Sequence, residues 1–313
     1  MAGPIAKAGH VAPRTRRRQG SSPLFRTALS LALVLTSALA VMAGRSALIF
    51  KGAQGSAPVA TQIAMSGLQP GACMSFAPTA GRSGKTVFLD PGHGGLDPGV
   101  VGATAGVQVL EKDLTLAVAT RLTVMLRADG YRVVMSRIAD SSVAKLSASD
   151  SISGALTASA VHRDLVTRAA CANAAGASVL LSIHFDAFDD SSVGGTETFY
   201  DPARTFASQS KRLATALQGA LVTALGSSDR GVWADDQLAA PALTPSGSTY
   251  GHLIELGPTA AGWVDNPSRM PGALVEPLFL TNPDEAKLAA AVSGQERIAG
   301  ALRTGLEQYF TGT

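Results

Sequence analysis

Acidic residues are missing from the start of this chain: residues 1–45 hold no Asp or Glu, whereas seven of its 26 Lys and Arg lie there, five of them within 14–26. The formal charge of +3 is therefore a property of the N-terminus, since 19 basic residues face 23 acidic ones in the remainder. A mildly acidic remainder excludes recognition of a phosphate backbone, which requires a basic surface on the folded domain, so no nucleic-acid partner is expected. Internal repeats are absent, as is any pattern of a second globular domain, which excludes a repeat array dedicated to binding. Cysteine is limited to Cys73 and Cys171. What is abundant is apolar: 46% of the 313 residues are hydrophobic, enough for one sizeable core.

The N-terminus has its own logic. The arginines at 14–18 precede an uncharged apolar run over 27–44 that contains Ala38-Leu39-Ala40. Basic, apolar and small-residue regions in that order mark residues 1–48 as a signal peptide or an N-terminal membrane anchor, the run being near the lower length for a span. Export follows, to periplasm, cell wall or exterior, with membrane contact expected through this segment alone. In an oxidising compartment the two cysteines can pair, and a Cys73–Cys171 disulfide is expected. Residues 49–84, rich in Gly, Ala, Ser and Pro, read as a linker, and the folded domain is expected over 85–313.

Within that domain, strand-forming and helical patterns alternate. Thr86-Val87-Phe88-Leu89 reads as a buried strand stopped at Asp90-Pro91-Gly92, and apolar steps of three and four after Glu111 mark a helix ending at Gly130. Strands are expected over 131–136, 178–183 and 196–200, helices over 162–175, 206–225 and 295–310, and further strands at 252–256 and 273–275. The order predicts an α/β class: a single domain with a twisted, mainly parallel sheet of about six strands flanked by helices on both faces, acting as a monomer. The segment 234–249 is longer than a connection needs, and is expected to form a flap.

Ligand sites in such sheets gather beyond the C-terminal strand ends. Four residues stand there: His93 after the first strand, Glu111 opening the first helix, His184 ending the 178–183 strand and Glu276 ending the 273–275 run. Two imidazoles with one carboxylate form a ligand set for a catalytic Zn²⁺, although nickel or cobalt accepts the same donors. Glu255, on the preceding apolar run, rivals Glu276 as a general base. Trp233 and Trp263 suit either a substrate groove or partial burial.

Asp90-Pro91-Gly92-His93-Gly94-Gly95, Glu111-Lys112, Ser182-Ile183-His184 and the run from Leu274 to Asn282 occur in that order. Together they resemble the zinc-dependent N-acetylmuramoyl-L-alanine amidases, the family often named the third amidase type. The resemblance covers roughly 85–310. It implies Zn²⁺ on His93, Glu111 and His184, Glu276 as the catalytic carboxylate, and a peptidoglycan or muropeptide substrate cut between the lactyl group of N-acetylmuramic acid and L-alanine. Arg168 and Asn173 match family positions that look structural. Asp186 replaces the usual Asn after the histidine, and Pro277-Leu278 the usual Thr-Gly. A catalytically silent wall-binding homologue and a zinc peptidase acting within the stem peptide remain alternatives.

Overall fold

The computed structural model describes residues 60–238, 242–243 and 249–312. The expected signal peptide or membrane anchor, the beginning of the expected linker and most of the expected flap lie outside these residues. Strands β1 (Thr61–Gln62), β2 (Ala72–Phe76) and β3 (Thr86–Pro91) come first, then a hairpin of β4 (Val101–Thr104) and β5 (Val107–Leu110). Helix α1 (Glu111–Ala128), strand β6 (Arg132–Arg137), the short pair β7 (Ser151–Ile152) and β8 (Ala155–Leu156), and helix α2 (Ala158–Ala174) follow. The chain continues through β9 (Val179–Ile183), β10 (Thr196–Tyr200), α3 (Ala207–Leu225), β11 (Asp229–Ala234), the short pair β12 (Ala242–Leu243) and β13 (Thr249–Tyr250), β14 (Gly272–Glu276), α4 (Pro283–Ala290) and α5 (Val292–Thr311).

Eight strands form one sheet in the order β1-β2-β6-β3-β9-β14-β10-β11. Its centre is parallel (β6, β3, β9, β14), β10 runs antiparallel to β14, and β11 is parallel to β10. The sheet is thus mixed and mostly parallel, with eight strands where about six were expected. The two additional N-terminal strands correct the expected linker: β2 lies antiparallel on β6, and β1 on β2. Cys73 on β2 is joined to Cys171 on α2, as expected, with Cα atoms 5.8 Å apart. Polar, glycine-rich composition concealed this edge because its order comes from a neighbouring strand and a covalent bridge.

Alternation along the strands fixes which residues share a face. Val87, Leu89, Val179, Leu181, Ala273 and Val275 pack under α1, α3 and α5. Phe88, Leu180, Leu274 and Phe199 face the opposite side with Cys73, Cys171 and Leu256. Two residues further along these strands, Asp90, Ser182 and Glu276 fall on that second face. Residues 252–256, expected as a strand, form turns instead. Leu253 and Leu256 face one apolar cluster and Ile254 another, so the run is buried from two sides without ladder pairing.

Candidate metal centre

The chain turns from β3 into the centre through backbone that side chains rarely tolerate: His93 has φ +61°, in the left-handed region. Two glycines make the room. A Cβ on Gly92 would stand 2.2 Å from His184 Cε1, and one on Gly99 would stand 2.4 Å from Glu111 Oε2. Three carbonyls of this turn are gripped from below. Arg137 donates to the Pro91 and Gly92 oxygens at 3.0 and 2.9 Å, and Arg168 donates to the His93 oxygen at 2.7 Å.

Three donor atoms converge. His93 Nε2 and His184 Nδ1 each lie 3.0 Å from Glu111 Oε1 and 3.1 Å from one another. Nδ1 of His93 faces Asp97 Oδ2 at 2.9 Å, which fixes the tautomer that leaves the Nε2 lone pair turned inward. Glu111 opens α1, where the helix dipole favours a carboxylate, and its oxygens also accept from the Phe185 and Val100 amides at 2.9 and 2.8 Å. Two imidazoles and a carboxylate, prearranged within one cation's reach, fit a divalent metal ion. Burial opposes charge on His93, yet the Asp97 and Glu111 carboxylates outweigh it and raise its pKa to about 9. Glu111 is also buried, but the two histidines hold it well below the usual carboxylate range.

Glu276 borders this cluster. The His184 amide bonds the Val275 oxygen at 3.0 Å, which places the ends of β9 and β14 side by side. Oε2 of Glu276 is buried and has no hydrogen-bond partner among the described residues. Burial, reinforced by the charges of Glu111, Asp186 and Glu197, pushes this carboxyl well above its ordinary range. Glu197 is its direct cross-strand neighbour on β10. Asp186 is itself raised to about 7 by burial and by a hydrogen bond with Glu197.

Glu255, the rival, lies elsewhere. It sits on a turn rather than a strand, buried with Oε1 3.9 Å from Arg168 Nε, and its surroundings are Asp90 and Arg168. It lines a cavity of about 210 Å³ beside His93 and His184, whose apolar wall includes Leu156, Val161, Leu165, Leu253 and Leu256. Trp233 is 45% exposed at the far edge of the sheet, and Trp263 is partly buried, stacked on Tyr250. His162 is partly buried and bonded to the Trp263 carbonyl. Sequence reasoning did not single out Asp97 or Arg137. The Asp97 spacing four residues after His93 was visible, whereas the reach of Arg137 across 45 residues to Gly92 was not.

Comparison with known proteins agrees with this geometry. A family model described as N-acetylmuramoyl-L-alanine amidase matches residues 87–308. Over 227 residues the chain is 33% identical to the N-acetylmuramoyl-L-alanine amidase LytC of Bacillus subtilis, covering 72% of this chain but only 36% of that protein. It is 30% identical over 229 residues to a germination-specific N-acetylmuramoyl-L-alanine amidase of the same organism, covering 73% of this chain and 81% of the relative. Among solved structures, the CwlD amidase of Clostridioides difficile, determined in complex with the GerS lipoprotein, superposes with a TM-score of 0.57 at 26% identity, covering 73% of this chain and all of that one.

Proposed function

The chain belongs to the N-acetylmuramoyl-L-alanine amidase family, a peptidoglycan hydrolase by that membership, and we propose that it uses Zn²⁺ held by His93, Glu111 and His184, with Glu276 as general base. The observation that carries this reading is the convergence of three donor atoms within 3.1 Å. Membership implies action outside the cytoplasm, with which the Cys73–Cys171 bridge is consistent.

When bound, Zn²⁺ supplies Lewis-acid polarisation of the lactyl carbonyl and lowers the pKa of a water towards about 7. Asp97 keeps His93 in its ligating tautomer. Glu276 takes a proton on its carboxylate from the attacking water and delivers it to the departing alanine nitrogen. A carboxyl with a raised pKa and an oxygen without a hydrogen bond among the described residues is suited to both transfers, because it takes up a proton more readily than an ordinary carboxylate. Glu255 shares the raised pKa and the buried oxygen without a hydrogen bond, but its charged neighbours are Asp90 and Arg168 rather than Glu111, which sets it away from the three donors. The apolar cavity beside His93 is a fitting place for part of the stem peptide.

Digestion of purified peptidoglycan fragments with and without a chelator, with products weighed, tests the reading. Release of stem peptides with a free L-alanine amine, abolished by chelator and restored by Zn²⁺, is expected. Cleavage inside the stem peptide, or activity indifferent to the chelator, would sink it.

A further inference from the structure

A second group of metal-ligating side chains lies at the other end of the sheet. Asp201 and Asp235 follow the C-terminal ends of β10 and β11, parallel neighbours whose last paired residues are Tyr200 and Ala234. Because β10 is antiparallel to β14 and Glu197 is paired with Glu276, Asp201 stands four residues along the sheet from the Glu276 row, about 13 Å away. This cluster is therefore separate from the His93 centre. His252, from the turn segment 251–257, completes it.

The contacts are those of ligands short of a cation. Both carboxylates are buried, at 1% exposure each. Each uses one oxygen to fix its orientation: Asp201 Oδ1 accepts from the Ala203 amide at 2.7 Å and Asp235 Oδ2 from the Leu253 amide at 2.9 Å. The remaining oxygens both point at one nitrogen, with Asp201 Oδ2 2.8 Å and Asp235 Oδ1 3.2 Å from His252 Nδ1. One nitrogen carries at most one proton. It cannot serve both oxygens; its hydrogen bond is to Asp235, and among the described residues Asp201 Oδ2, 2.8 Å from the same nitrogen, is buried, aimed into the cluster and without a hydrogen bond of its own.

Among the described residues no Lys or Arg forms an ion pair with either aspartate. Arg204, three positions after Asp201, gives its donors to the Leu256 and Gly257 carbonyls and to Ser268. Arg204 lies near enough for its charge to act on Asp201 without bonding to it, and two buried carboxylates sharing one imidazole remain costly unless further positive charge joins them.

We propose that Asp201, Asp235 and His252 bind a second divalent cation, a first-row transition ion such as Zn²⁺ or Mn²⁺, which pins segment 251–257 to the ends of β10 and β11. Two oxygens with one imidazole nitrogen suit that class, whereas Ca²⁺ and Mg²⁺ call for more numerous, all-oxygen ligands. The consequence reaches the first centre. The same segment carries Leu253, Glu255 and Leu256, which wall the cavity beside His93 and His184.

The test uses the full-length His93→Ala protein, so that the first centre cannot account for bound metal. Co²⁺ alone is titrated in, followed by visible absorption and by metal content after gel filtration. One retained equivalent is expected, with affinity falling at least about tenfold in an added Asp235→Asn or His252→Ala change. No retained Co²⁺ in the His93→Ala parent overturns the proposal, as does retention unaffected by either change. If Asp235→Asn fails to fold, the parent titration and the His252→Ala variant decide alone.

Discussion

Arg168 Nη1 lies 2.8 Å from Asp90 Oδ1, and neither side chain meets solvent, at 2% and 0% exposure. The guanidinium also takes the Asp164 carboxylate and the Pro91 and His93 carbonyls, while Ser182 donates to the second Asp90 oxygen. It is thus both ballast for β3 and the support of the turn that holds His93. Removing one partner of a buried pair strands the other charge, at a cost of about 3–5 kcal/mol. Arg168→Met is expected to lower the urea midpoint accordingly and to weaken metal retention, because the His93 carbonyl loses its donor. Arg168→Lys is expected to recover little, since a single ammonium cannot span these acceptors. An unchanged midpoint in Arg168→Met would contradict this account.

Glu276→Gln separates binding from chemistry. The amide preserves shape and cannot take up a proton from water, so metal content should stay at the wild-type value while turnover falls by about 10²–10⁴-fold. Glu255→Gln, by contrast, should act through stability and lose much less in turnover per folded molecule. Comparable losses of turnover in the two variants would remove the distinction drawn from their surroundings.

How much of this was legible in the sequence depended on where each element gets its order. β3 and β9 are buried on both faces and appear as short, mostly apolar runs, and the amphipathic α1 announces itself by spacing. His93 and His184 could be placed because each follows such a strand, whereas Glu111 depended more on the order of the motifs than on any local signal. β2 and β11 carry no comparable pattern, since their partners and not their own side chains organise them. Helix α4 did have a readable signal, with Asn282 capping the Asp284 and Glu285 amides before Pro283 at its first position, and it went unread. Asp201 and Asp235 were unreadable as a pair, because only the register of β10 on β11 brings them together.

The pH dependence follows from the raised Glu276 pKa. A base works only when deprotonated, so activity rises as pH rises through the pKa, and a pKa above the ordinary 4.5 places the acid limb of kcat/KM above that value. Asp186 contributes to the elevation by its charge. Asp186→Asn should therefore move the acid limb to lower pH, while metal content stays constant. A limb that remains in place, or moves upward, would show that Glu276 does not set it.

Metal binding should release protons. With its pKa raised to about 9 by Asp97 and Glu111, His93 in the metal-free protein holds a proton at pH 7.5 that any ligated cation must displace. Apparent affinity is then expected to climb about tenfold for each pH unit approaching 9 and to level off above it. Calorimetry of Zn²⁺ binding in buffers of different ionisation enthalpy counts the protons released. Asp97→Asn, which removes one of the two carboxylates that raise His93, should reduce the count at pH 7.5; an identical count would place the proton elsewhere.

The Cys73–Cys171 bridge makes the last test, because it joins β2, the second strand from the sheet's N-terminal edge, to a helix across 98 positions of sequence. Closing a loop of this length in the unfolded chain corresponds to a stabilisation of about 4–5 kcal/mol in the chain-entropy model. The paired Cys73→Ser, Cys171→Ser protein should lose a comparable amount, measured by denaturant unfolding with the metal-loaded protein as reference. The loss is expected to be uneven in space. β2 meets the sheet only through β6 and β1, so its amides should exchange with solvent soonest, whereas β3 and β9, held between parallel neighbours, should keep their protection. Loss of protection across the whole sheet at once would instead mean that the N-terminal edge is part of the cooperative core.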